Sequence, residues 1–195
     1  MDDRCETFKT ALESGDTDRV NTVIDELNAM DLDERVECFE ACFEPVADLY
    51  GTADDGYVRQ SVVRVAEQLT PGLPAVVALG NEDRSMRAEE ADIRAQTDTL
   101  CGFFLEALTD TDGRVRQSAQ RGLKDVVRTY DALEDEATID ALVAELDEMA
   151  TQASGTTQTH LAEAKEDVQF FRQSGLARLL EGFQDELGDS LRGDE

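Results

Sequence analysis

Large apolar side chains recur along this chain at steps of three and four, the spacing that gathers them on one side of an α-helix, and the strict alternation of a half-buried strand is scarcely found. Cys5, Phe8 and Leu12 stripe a first short helix, and after Gly15-Asp16 a second carries Val20, Val23, Ile24 and Leu27. A third holds Val36, Phe39, Phe43, Val46 and Tyr50, opened by Asp31 with Glu34 at the spacing of a capping box and stopped near Gly51. Val58, Val62, Val65, Ala66 and Leu69 stripe a fourth. Thr70-Pro71-Gly72-Leu73-Pro74 then breaks the chain, because proline lacks an amide donor and turns its predecessor away from helix.

The run Ala75 to Leu79 reads as a short buried turn of helix. Residues 80–97 are mostly polar, with Met86 and Ile93 their large apolar side chains, before Leu100, Phe103, Phe104 and Leu108 restore a core face; one long helix with an exposed first half is predicted. Past the turn Asp110 to Gly113, Val115, Ala119, Leu123, Val126 and Tyr130 form the next stripe. Ile139, Leu142, Val143, Leu146 and Met149 follow, and beyond the Ser154-Gly155-Thr156-Thr157 loop come Leu161, Ala164, Val168 and Phe171. A final stripe, Leu176, Leu179, Leu180, Phe183 and Leu187, precedes a polar tail at 189–195.

The expected fold class is therefore all-α, a single domain over 1–188 with about eight to nine main helices. Antiparallel pairs near 2–29, 33–69, 84–130 and 134–172 stack as a short α-solenoid, with a capping helix at 175–187. A solenoid needs its last unit covered, which is the expected task of the final stripe; a homodimer contact is its other use.

The most specific pattern is a duplication. Asp55-Gly56-Tyr57-Val58-Arg59-Gln60-Ser61-Val62-Val63-Arg64 returns as Asp112-Gly113-Arg114-Val115-Arg116-Gln117-Ser118-Ala119-Gln120-Arg121, 57 residues on (58 to 115). A weaker copy, Asp31 to Glu37, shares the acidic turn and the valine but has Glu37 where arginine stands. The phrase Leu108-Thr109-Asp110-Thr111-Asp112-Gly113-Arg114-Val115-Arg116 resembles the turn and second-helix start of a HEAT repeat. The resemblance implies that Asp110 closes the turn between paired helices, Val115 packs in the core and Arg116 ties neighbouring repeats together. In the other copy Val58 and Arg59 match, but Ala53 stands where the aspartate belongs, with Asp55 or Asp54 as the candidate substitute. A 57-residue period exceeds the roughly 40 to 47 of HEAT and armadillo arrays, which an enlarged repeat carrying the proline-bounded segment would explain.

Charge changes the picture of the environment more than of the fold. The 195 residues hold 45 Asp+Glu against 18 Lys+Arg, a net −27, where about 2 to 8 of either sign suffices for a small domain. Such an excess repels itself in dilute buffer, but at ~1 M salt the screening length falls to about 3 Å. Lysine occurs only at 9, 124 and 165, and this composition resembles that of halophilic archaea with salt-filled cells. The 41 % hydrophobic content at helical spacing argues against a disordered acidic chain. No stretch approaches the roughly 20 apolar residues of a membrane span, and Met1-Asp2-Asp3 is unlike a basic signal region, so a cytoplasmic protein is expected. Cys5, Cys38, Cys42 and Cys101 show no CxxC and do not have the spacing of a secreted disulfide framework; His160 is the lone histidine. Buried reduced thiols are expected, with no metal and no cofactor.

One surface stands out. On the helix after Asp112, the face opposite the apolar stripe carries Arg114, Gln117, Arg121, Lys124 and Arg128, three or four residues apart; the duplicated helix puts Tyr57, Gln60 and Arg64 at the equivalent places. The HEAT resemblance implies partner binding along a concave wall of second helices, where these side chains would hold carboxylates, phosphates or an acidic peptide. The competing reading makes them surface ion pairs that merely neutralise nearby acids. Catalytic parts are missing: there is no HExxH, glycine-rich phosphate loop or serine elbow. The expectation is a non-enzymatic scaffold with a protein partner. Its alternative is a HEAT-like DNA glycosylase for alkylated purines, which would want a basic groove and aromatic side chains. With no Trp, three Tyr and an overall field that repels DNA, nucleic acid is not the expected partner.

Overall fold

The computed structural model describes residues 3–73 and 88–171, which form eight helices and no strand. These are α1 (Asp3–Glu13), α2 (Thr17–Asn28), α3 (Leu32–Thr52), α4 (Gly56–Gln68), α5 (Glu90–Ala107), α6 (Gly113–Ala132), α7 (Glu136–Gln152) and α8 (155–171). Aspartate opens most of them for a common reason: a short carboxylate accepts from the amides a helix leaves unpaired at its start and meets the positive end of its dipole. Asp16, Asp55, Asp112 and Asp135 cap α2, α4, α6 and α7, and Asp31 with Glu34 forms the full capping box on α3.

The helices pair and the pairs stack in two layers. One layer sets α1 against α3 and α3 against α5; the other sets α2 against α4 and α4 against α6. Within the second layer the helices run parallel. Tyr57 at the start of α4 shares a 2.5 Å hydrogen bond with Thr17 at the start of α2, and Arg64 a turn or two later donates to Asn21 at 2.9 Å. The Asp112 cap of α6 likewise lies against Gly56, the first residue of α4, where a Cβ would collide with its carboxylate. Arg116 and Lys124 on α6 reach Thr156 and Asp167 on α8 in the same sense.

Between the layers one contiguous core runs from Cys5 to Val168. Its centre is aromatic: Phe103 packs edge-on to Phe43, Tyr50 and Phe104, with ring centroids 5.3 to 5.7 Å apart. Because α4 is flanked by α2, α3 and α6, it buries Ser61 and Val63 along with the expected Val62, Val65 and Ala66, whereas Val58 at its first turn is only half-buried.

Four expectations are corrected. The described part of α5 is not exposed along its first half: Ile93, Gln96 and Thr97 are buried, Ile93 in a small second cluster with Leu32, Val36 and Leu73, and Gln96 donates to the Val36 carbonyl at 3.2 Å. The weak third copy of the duplication sits on α3, a first-layer helix, and so is not equivalent to the copies on α4 and α6. The break after α7 is only two residues, since α8 begins at 155. Cys5 and Cys42 are joined in a disulfide, not reduced, because the α1–α3 packing sets their Cα atoms 5.0 Å apart, within the span such a bond requires. Cys38 and Cys101 are buried and lie outside the disulfide, and burial pushes the Cys101 thiol up to about 12. The expected turn at 75–79, the start of the third pair near 84, the capping helix at 175–187 with its dimer contact, and the tail lie outside the described residues.

Candidate functional site

The duplicated segments are laterally adjacent, on α4 and α6, and each makes the same local bond. Arg59 Nη1 donates to the carbonyl of Ala53 at 3.0 Å, and Arg116 Nη1 to that of Asp110 at 2.5 Å, the residue six before it in each case. Each arginine then reaches into the following pair. Arg59 grips Asp110 with Nε and Nη2 at 2.8 and 3.0 Å, and Arg116 donates to the Thr156 hydroxyl at 3.1 Å. Asp110 also accepts from Tyr50 at 2.9 Å and from the amide of Asp112 at 2.7 Å. Burial works against its ionisation, but these donors together outweigh it and hold the carboxyl below its usual range. Ala53, lacking a carboxylate, has no such role.

The second-layer face carries the eight side chains singled out from the sequence, and their surroundings differ from a bare positive stripe. Arg114 folds back on its own cap, Asp112, at 2.6 Å, and that contact draws the Asp112 carboxyl down to about 2. Arg121 bridges to Glu67 on α4 at 3.7 Å and donates to Ser118; Lys124 meets Asp167 on α8 at 3.0 Å. Arg128 pairs with Asp125 at 2.6 Å and lies 5.0 Å over the Phe171 ring. Arg64 is spent on Asn21 and Tyr57 on Thr17, Gln60 is half-buried, and Gln117 is exposed. The face is thus brought together as one surface across α4 and α6, but it is laced with carboxylates rather than uniformly cationic.

Glu67 is the member that sequence reading passed over. It sits between Arg64 and Arg121, and its pKa is raised because burial outweighs the attraction of those two cations. Arg35 was missed as well. From the start of α3 it donates to the carbonyls of Leu27 and Met30 at the end of α2 and of Thr70 past the end of α4, at 3.2 to 3.4 Å, where helix ends present unpaired carbonyls and negative dipole. Only the coming together of three helix ends reveals this role. Among the described residues, no group of three or more His, Cys, Asp or Glu side chains could hold a metal ion, and no helix is long and apolar enough to cross a membrane.

No protein-family profile, no curated protein and no solved structure matches this chain.

Proposed function

We propose that this chain is a HEAT-like adaptor, non-enzymatic, which holds a protein partner along the wall made by its second-layer helices in a salt-rich cytoplasm. One observation carries the reading: the two copies of the repeated phrase lie on neighbouring parallel helices, so Gln60 and Arg64 stand beside Gln117 and Arg121. A wall that repeats its side chains from helix to helix suits an extended partner. The ion pairs on it leave guanidinium donors unused, since each has five N–H groups. The −27 charge supports the salt-rich setting, because only strong screening relieves it.

A photo-crosslinking amino acid at exposed Gln117 tests the face, with the same probe at exposed Glu40 on the first-layer helix α3 as its control. In cell extract at ~2 M KCl, a discrete adduct is expected from position 117 and none from 40. Equal yields at both, or none at either, would remove the second-layer wall as the binding face. Release of a base from alkylated DNA by the purified chain would replace the adaptor reading with the glycosylase one.

A further inference from the structure

The second pair of the stack is covered on both sides, α3 lying between α1 and α5 and α4 between α2 and α6. The first pair has neighbours on one side only. On its other side α1 and α2 form an open groove of ≈ 360 Å³, floored by the buried Ala11 and Val23 with Thr22 beside them. The Thr7 and Thr22 hydroxyls are spent on carbonyls of their own helices, each at 2.9 Å, so these side chains offer the groove little but methyl groups.

The charges of the groove are divided between its ends. Joined by residues 14–16, α1 and α2 run antiparallel. Asp3 and Glu6, from the start of α1, therefore share one end with Glu26, from the last turn of α2, and Arg19, in the first turn of α2, lies toward the other. None of these four side chains has a partner among the described residues. For Arg19 that is unusual: every other described arginine and lysine has one. A chain with 45 Asp+Glu thus leaves this one described guanidinium bare, at the edge of a groove whose far end holds three bare carboxylates.

We propose that a second copy of the chain docks in this groove. A groove with a basic end and an acidic end is complementary to itself about a twofold axis. With the two α2 helices antiparallel and crossing at Thr22 and Val23, midway between Arg19 and Glu26, Arg19 of each copy enters the acidic end of the other and faces its Glu26. The two residues stand seven apart, roughly 10 Å along the helix, and the axis makes both contacts identical. Small side chains at the crossing permit the closer helix spacings. Such an axis runs normal to the two layers, so the second-layer walls of both copies lie on one side, where a partner with two matching segments would meet them together. The contact itself does not depend on what those walls bind. The −27 on each copy opposes docking in dilute buffer, whereas at ~2 M KCl that long-range repulsion is screened and the touching, partly covered Arg19–Glu26 pairs are screened less.

Sedimentation equilibrium of the full chain at ~2 M KCl should give a mass of two chains. Arg19→Glu and Glu26→Arg, both at exposed positions, each set like charges against one another twice per dimer and should weaken self-association by about tenfold or more. Mixed in equal amounts, the two variants should recover the wild-type association, because every contact then joins a cation to an acid; a variant damaged in its fold would not be rescued in this way. Glu40→Arg, on the first-layer helix α3 and outside the groove, makes the same change of charge as Glu26→Arg and should associate as the wild type does. A mass of one chain would overturn the assignment, as would masses beyond two chains that grow with concentration, the mark of head-to-tail stacking. So would a dimer indifferent to both charge reversals, which another surface must hold, or a loss of association that mixing the variants does not restore.

Discussion

At the scale of single residues, Asp110 is the most heavily committed side chain on the described surface between pairs. Its carboxylate, 5 % exposed, takes both arms of Arg59 and the Tyr50 hydroxyl, and so joins α3 and α4 to the turn before α6. Asp110→Ala should cost about 3 kcal/mol, because it leaves the mostly buried Arg59 without its partner; urea unfolding measures this, and a loss under ~1 kcal/mol would mark the pair as an ordinary surface bridge. Its pH dependence has a definite sign. The folded carboxyl titrates below its unfolded value near ~4, so the contribution is complete above that value and is lost as pH falls through the lower folded one. The stability gap between wild type and variant should therefore be constant at neutral pH and close in acid. The repeated phrase suggested Asp110 as the closure of a turn and the arginines as ties between repeats; that Arg59 would take Asp110, 51 residues away, as its partner was decided by the stacking of α4 on α6.

Among the elements, close approach and covalent ties set the packing. Gly122 on α6 lets the Phe104 ring of α5 lie where a Cβ would overlap it, whereas Gly102 on α5 has nothing near. Gly122→Ala should destabilise by about 1–3 kcal/mol through overpacking, and Gly102→Ala should stabilise by roughly 0.5–1 kcal/mol through helix propensity alone. The same sign for both would mean that α5 and α6 adjust freely at this contact. The Cys5–Cys42 bridge holds α1 to α3 across 37 residues. The unreduced, denatured chain should titrate two thiols, Cys38 and Cys101, and the reduced chain four; four in both states would show that the bridge does not form. Cys5→Ser should lower stability by about 4 kcal/mol in the chain-entropy account. Both sulfurs are almost wholly buried, which shields the bond from reductants. Helical spacing alone could place Cys38 and Cys42 on one face of α3, but it could not tell which of them α1 would meet.

For the whole molecule the governing quantity is a charge of −27 on a stack whose ion pairs engage only part of its acids. Raising KCl from ~0.1 to ~2 M should raise the thermal midpoint by about 10 °C, as screening removes repulsion worth a few kcal/mol. A flat or falling midpoint would mean that the acidic surface is not an adaptation to salt. The all-helical class, most helix boundaries and the Asp31–Glu34 capping box were legible in the chain because they depend on neighbours three or four residues apart. Glu67 and Asp167 beside the stripe were not, because they meet Arg121 and Lys124 across helix boundaries, whereas Asp125 stands three residues before Arg128 on α6, within reach of the same local spacing. Local periodicity determined which residues would form helices and which sides would be buried. The order of neighbours across the two layers decided the rest: the disulfide partner, the Arg59 to Asp110 tie and the meeting of helix ends at Arg35, since each depends on residues from separate helices whose proximity exists only once the pairs have stacked.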